Sequence, residues 1–208
     1  MSNTRNLLLA ALLASSGNAM ATSSVDLAVK GTITPSACEL SLANGGSFDL
    51  GKIAAKDLWP ANATDLERQT TQLTLNCEAA TLVAVESKDN RAGSSSSYED
   101  PDSTFGLGLI NGNQKLGYLW ATLSGPKADG TTAYGIHSMD GGLTWAWDGI
   151  FKPGGLTSVT KGEPPTPTPV QVLTATLRVD ASIAPANSLT LNEEVPIDGS
   201  VSLTVKYL

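Results

Sequence analysis

Alternation of apolar and polar residues predicts β-strands along most of the chain. In the first such run the apolar side chains share one face of a strand: Val25, Leu27, Val29 and Ile33, with Gly31 at the position between the last two. Further strand-like runs lie at 72–77, 81–87, 105–110, 116–123, 131–137, 143–147, 170–182 and 201–208. Turn-forming Gly, Asp and Pro residues separate these runs. The pattern therefore predicts an all-β protein.

Helical signals are weak throughout the sequence. Only residues 64–67 resemble a capping box, which predicts one turn of helix at most. Many short strands with frequent turns in a chain of 208 residues are typical of a β-sandwich, and we expect one domain. The serine-rich segment 90–104 and the proline-rich segment 161–169 are predicted to be surface loops.

Residues 1–21 have the features of a secretory signal peptide. Arg5 precedes a short apolar run, and Ala19 and Ala21 flank Met20 as in a cleavage site. The apolar run is too short to cross a bilayer, and no later segment is apolar for long enough to do so. We therefore expect export, cleavage after Ala21 and a soluble mature protein.

Net charge and cysteine content argue against two kinds of function, nucleic-acid binding and zinc binding. The chain carries 20 acidic and 13 basic residues, a net charge of −7, so a nucleic-acid partner is not expected. Cys38 and Cys77 are the only cysteines in the sequence, and an exported pair is usually joined in a disulfide. Because His137 is the single histidine, the two thiols do not complete a zinc site. We predict a disulfide between the first strand of the sandwich and a strand in its middle, with no metal centre and no cofactor.

The two ends of the mature chain resemble those of pilin subunits from chaperone–usher fimbriae. The apolar residues of the last strand alternate up to a penultimate tyrosine: Val201, Leu203, Val205 and Tyr207. At the amino end Gly31 stands seven residues before Cys38. In that family the subunit is an immunoglobulin-like sandwich that lacks its last strand. A periplasmic chaperone supplies the missing strand first, and the amino-terminal extension of the next subunit supplies it later.

The resemblance implies an extension at residues 22–36 and a pilin-like domain at residues 37–208. The residues of the donor strand would be Val25, Leu27, Val29, Gly31 and Ile33. The residues of the strand that the chaperone contacts would be Val201, Leu203, Val205 and Tyr207. The implied partners are other fimbrial subunits, the chaperone and an outer-membrane usher. The implied location is the periplasm and then the cell surface.

The middle of the chain is similar to a narrower group, the GltF-like family of exported bacterial proteins of unknown function. The segments that carry this similarity are DNRAG at 89–93, GLGL at 106–109, KADG at 127–130 and SIAPANSLTLNEEVPIDGS at 182–200. Ordinary pilins are shorter, and we place the extra residues as an insertion around 90–169. The similarity implies no catalytic residue.

Residues 138–145 match the Asp-box of sialidases and other β-propellers, S-x-D-x-G-x-T-W. The matching residues are Ser138, Asp140, Gly142, Thr144 and Trp145. Propellers repeat the motif in every blade, whereas it occurs once in this sequence. We therefore expect a structural hairpin in which Asp140 accepts bonds from turn amides and Trp145 packs under the turn.

Enzymatic function is not expected. No motif singles out a pair of acidic residues, no serine elbow accompanies His137, and the arginines Arg68, Arg91 and Arg178 are scattered in sequence. Two kinds of binding are left open. One is calcium in the loop at 89–102, whose oxygen-bearing side chains are Asp89, Asn90, Glu99, Asp100 and Asp102. The other is sugar stacking on Trp145 and Trp147, which are predicted to share one strand face.

The sequence therefore predicts a secreted, non-enzymatic fimbrial subunit that assembles by donor-strand exchange and serves cell adhesion. Its position in a fibre and its host or surface ligand are not specified. The alternative is a soluble periplasmic binding protein, carbohydrate-binding in one version, that keeps a complete fold and never polymerises. Whether the strand at 25–33 pairs within its own domain or in a neighbouring one stays open.

Overall fold

A computed structural model describes residues 37–208, so the predicted signal peptide and donor strand lie outside the described residues. The strands are β1 (Cys38–Leu42), β2 (Thr64–Asp65), β3 (Gln69–Thr81), β4 (Val83–Asp89), β5 (Phe105–Gly106), β6 (Leu109–Ile110), β7 (Gln114–Lys115), β8 (Gly117–Ala128), β9 (Thr131–Thr132), β10 (Tyr134–Ser138), β11 (Ala146–Trp147), β12 (Ile150–Phe151), β13 (Leu156–Thr160), β14 (Val170–Ile183) and β15 (Val201–Tyr207). Short 3-10 helices lie at Ala55–Asp57, Pro101–Ser103 and Ala186–Ser188. Within this part of the chain no helix meets the length and hydropathy needed to cross a membrane.

The strands form two main sheets with antiparallel pairing. The order in the first sheet is β1-β3-β14-β8-β12, with β2 beside β14 and with β5 and β9 beside β8. The order in the second sheet is β11-β10-β13-β4-β15, and β6 and β7 form a separate hairpin. Side chains from both sheets pack in one core, which includes Leu75, Leu123 and Leu177 of the first sheet and Val85 and Val159 of the second. This arrangement confirms the predicted all-β sandwich.

The long strands bury one face because their apolar residues alternate. In β3, Leu73 and Leu75 are fully buried while the residues on either side are exposed or partly exposed. A second cluster of buried side chains includes Leu107, Leu116 and Ile183, and residues of the segments 50–58 and 189–197 pack against it. The core therefore continues from the sheets to these two segments, which have no regular strand structure.

The predicted disulfide between Cys38 and Cys77 is confirmed. The two cysteines face each other directly in the antiparallel register of β1 and β3. β3 lies between β1 and β14 in the first sheet. The bond therefore fastens the edge strand β1 to an inner strand of the same sheet, as expected for a bridge between the first strand and the middle of the sandwich.

The structure differs from the predictions made from local sequence at several places. Residues 64–67 do not form a helical turn, because Thr64 and Asp65 pair as β2 with Ile183 and Ser182 at the end of β14. The run at 143–147 is a strand only at Ala146–Trp147. The segment 90–104 lacks a named strand, as predicted, but it is not wholly a surface loop, because Ser94, Ser103 and Thr104 are buried.

Candidate functional site

The last strand, β15, forms one edge of the second sheet. β15 pairs with β4 along its whole length, from Val201 opposite Asp89 to Tyr207 opposite Val83. In the part of the chain that the structure describes, no strand pairs with the other side of β15. One row of its backbone N–H and C=O groups is therefore available to a further strand.

The inward-facing side chains of β15 are incompletely covered. Val201, Leu203 and Val205 pack against the main core but stay partly exposed, whereas the side chains at the centre of the core are fully buried. β1, at the edge of the first sheet, shows the same pattern in Leu40 and Leu42. Both edges thus present apolar surface that another strand could cover.

One hydrogen bond joins the first residue of β1 to the last residue of β15. The backbone N–H of Cys38 donates to the hydroxyl of Tyr207 at 3.0 Å. Tyr207, which the pilin resemblance implies as a chaperone contact, therefore also makes a bond within its own domain. The bond links the start of β1 to the end of β15, and we call the partly covered apolar surface between these two edge strands the groove.

An apolar cavity of about 860 Å³ extends this groove where the chain leaves β1 and enters β15. Its sides are lined by apolar residues of the segment after β1 and of the segment before β15: Phe48, Leu50, Ile53, Val195 and Ile197. Its floor comes from the first sheet and the second cluster: Leu107, Leu116, Leu119, Val179 and Ile183. Each side segment has two apolar residues at alternate positions, Phe48 and Leu50 in one and Val195 and Ile197 in the other, but neither segment pairs as a strand.

An arginine clamp holds the segment before β15. The Arg91 guanidinium donates from Nη2 to both carboxylate oxygens of Asp198, at 2.7 and 2.6 Å, and from Nε to Oδ2 at 2.9 Å. The pKa of Asp198 is lowered chiefly by these hydrogen bonds, and the pKa of Arg91 is raised by them. Asp89 supports the clamp, since its carboxylate accepts bonds from the N–H groups of Arg91 and Gly106.

The segments that resemble the GltF-like family make hydrogen bonds between distant parts of the chain. DNRAG at 89–93 and the end of the long segment at 182–200 meet in this clamp. KADG at 127–130 supplies Asp129, whose Oδ1 accepts the N–H groups of Gln171 and Val172 at a register shift in β14. The bond to Val172 is the main reason that the pKa of Asp129 is lowered. The sequence similarity marks these segments but does not indicate that they contact one another.

The Asp-box residues form a closed turn. The hydroxyl of Ser138 donates to Oδ1 of Asp140 at 2.7 Å, and the N–H and hydroxyl of Thr144 donate to the same carboxylate at 2.9 and 2.6 Å. The indole of Trp145 donates to the Gly142 carbonyl at 3.1 Å. A side chain at Gly142 would also contact Leu208, so the turn lies against the end of the described chain. The geometry suits the predicted structural hairpin.

The Asp-box turn predicts a specific pH dependence. Hydrogen bonds from Thr144, and then Ser138, lower the pKa of Asp140 from 3.8 to about 2. The stabilisation is therefore present above pH 3.8 and is lost as the pH falls toward 2. We expect Asp140→Asn to lower the melting temperature at neutral pH, as measured by circular dichroism. Between pH 3.8 and about 2, the melting temperature of the variant should fall less than that of the wild-type protein. Glu99→Gln is the control, and an equal acid response of the Asp140→Asn and wild-type proteins would contradict the prediction.

The other candidate residues do not converge. No group of three or more His, Cys, Asp or Glu side chains in residues 37–208 is arranged to hold a metal ion. His137 lies in β10, with its Nδ1 buried and unpartnered among the described residues. Trp147, expected to share a strand face with Trp145, is 44% exposed and makes an edge contact with Tyr134, while Trp145 lies before the strand.

Comparisons with known proteins agree with the similarity deduced from the sequence. Residues 27–104 match the model of a protein family of unknown function, DUF1120. The chain is 29% identical to the protein GltF of Escherichia coli K12 over 96% of this chain and 95% of that protein. It is 28% identical to the uncharacterised protein YhcF of the same organism over 92% and 93% of the two chains. These matches support a relation to the GltF-like proteins along nearly the whole chain.

Proposed function

We propose that this protein is a structural subunit of a bacterial surface fimbria that assembles by donor-strand exchange and serves cell adhesion. The observation that carries the proposal is the open groove between β1 and β15, whose apolar side chains are only partly covered. A periplasmic chaperone, an outer-membrane usher and other subunits would be its partners, and export would precede assembly. The relatives named above are uncharacterised or carry no function in their names, so the groove is the main support.

The occupant that we propose for the groove is the strand at residues 25–33 of a neighbouring subunit. Its apolar residues alternate with the period that would place them all on the groove side. Burial of Val25, Leu27, Val29 and Ile33 would contribute roughly 6–12 kcal/mol before ordering costs. Main-chain bonds to the free edge of β15 would add to this, as in other cases of strand addition.

Gly31→Val tests this proposal. Gly31 is the one position on the apolar face of the donor strand without a side chain, so it should meet a shallow point of the groove. In the presence of the chaperone, we expect the variant to fold normally and to fail to polymerise on size-exclusion chromatography. Lys30→Val changes the opposite face of the strand and serves as the matched control. Normal polymers from Gly31→Val would contradict the proposed pairing.

A further inference from the structure

The outer face of the first sheet carries a group of polar and aromatic side chains. Tyr118, Trp120 and Thr122 of β8 stand opposite Ser182, Asp180 and Arg178 of β14 in the antiparallel register. Residues between them, such as Leu119 and Val179, line the groove on the other face of the same sheet. Two rows of polar and aromatic side chains therefore face away from the groove.

An ion triad lies at the centre of this face. Nε of Arg68 donates to Oδ1 of Asp180 at 2.5 Å, and Nε of Arg178 donates to Oδ2 at 2.8 Å. The side chains of Arg68, Arg178 and Asp180 are 58%, 37% and 27% exposed. Within residues 37–208 neither guanidinium makes a hydrogen bond through its terminal nitrogens, so these donors are not used by the described residues. The arginines that are scattered in sequence are thus partly brought together by the fold.

A second carboxylate offers acceptors beside the triad. Asp65 of β2 accepts a hydrogen bond from the Ser182 hydroxyl through Oδ1 at 2.6 Å. Its Oδ2 has no partner in the described part of the chain. Asp65, Asp180, both arginines and the partly exposed Trp120 line one depression of about 540 Å³, a volume within the usual range of small-molecule sites.

From this combination we infer that the depression binds a neutral saccharide. The two arginines and two aspartates of the lining cancel in charge, so an anion would gain no net attraction there. Sugar hydroxyls both donate and accept, which matches guanidinium donors and carboxylate acceptors placed side by side. The C–H face of a sugar ring would cover the indole of Trp120. This inference does not depend on the proposed assembly, because the depression lies on the opposite face of the sheet.

The test uses the full mature protein and an array of neutral mono- to tetrasaccharides, followed by calorimetry with the sugars that bind. We expect binding to at least one neutral saccharide that is insensitive to added salt and is not displaced by acetate or digalacturonate. Failure of every neutral saccharide to bind would overturn the inference. Displacement by acetate or digalacturonate would also overturn it and would identify an anion site instead.

Variants locate the site. Arg68→Gln and Trp120→Leu should each weaken saccharide binding about tenfold or more, since each removes a contact to the sugar. Trp120→Phe keeps an aromatic face and should retain part of the affinity, which separates loss of stacking from loss of folding. Trp147→Leu removes an exposed tryptophan of the other sheet and should leave binding unchanged. Unchanged binding in Trp120→Leu, or loss of binding in Trp147→Leu, would overturn the assignment.

Discussion

Deletion of residues 22–30 is expected to give a subunit that accepts a donor strand and cannot provide one. The groove between β1 and β15 lies within residues 37–208 and should stay intact. With the chaperone present, the variant should form only chaperone complexes on size-exclusion chromatography. When it is mixed with the full mature protein, it should shorten the polymers, because it ends each chain that it joins. Polymers of unchanged length would contradict the prediction.

A charged substitution in the donor strand distinguishes a strand that pairs with a neighbouring subunit from a strand that pairs within its own domain. Leu27→Asp should abolish polymers and leave the melting temperature of the isolated subunit unchanged if the strand acts in a neighbour. If the strand completes its own sheet, the same change should lower that melting temperature and leave the oligomer distribution unchanged. Ala28→Asp places the charge on the opposite face and is the control. A wild-type protein that is a stable monomer without chaperone would defeat the donor-strand proposal.

Removal of the disulfide is expected to have the largest effect on stability. The bond closes a loop with a sequence separation of 39 residues. Replacing Cys38 and Cys77 by serine should lower the free energy of unfolding by about 2–4 kcal/mol, as measured by denaturant titration. Because the bond holds an edge strand of the groove, the double variant should also bind the donor strand more weakly. Equal denaturation midpoints for the wild-type protein and the double variant would contradict the prediction and would show that β1 is held by its other contacts.

Sequence alternation predicted the fold well where strands have one buried face. β3 alternates over residues 69–78, β14 over 173–177 and β15 over 201–206, and the predicted runs overlap all three strands. β13 was missed because all five of its residues are buried, and three of them are threonine or serine. Threonine and serine are tolerated there because partners are near, as in the bond from the Ser158 hydroxyl to the Val83 carbonyl.

The candidate sites were harder to predict because they depend on contacts between distant parts of the chain. Arg91 and Asp198 are 107 residues apart, and Arg68 and Asp180 are 112 residues apart. Each pair forms only because the strand order brings neighbouring strands together from opposite ends of the sequence. In contrast, the Asp-box could be predicted from its local motif, because its hydrogen bonds span at most four residues.

The strand order also sets the time at which the protein can fold. β3 needs β14 as a neighbour, and β4 needs β13 and β15, yet β14 and β15 are made last among the described strands. A chain that emerges amino end first therefore holds β3 and β4 with unsatisfied edges until residues 170–207 have also emerged. Pairing between such distant segments is slow, so the exposed edges persist as a target for self-association. During this interval a protein that shields strand edges would give the polypeptide its greatest protection from self-association.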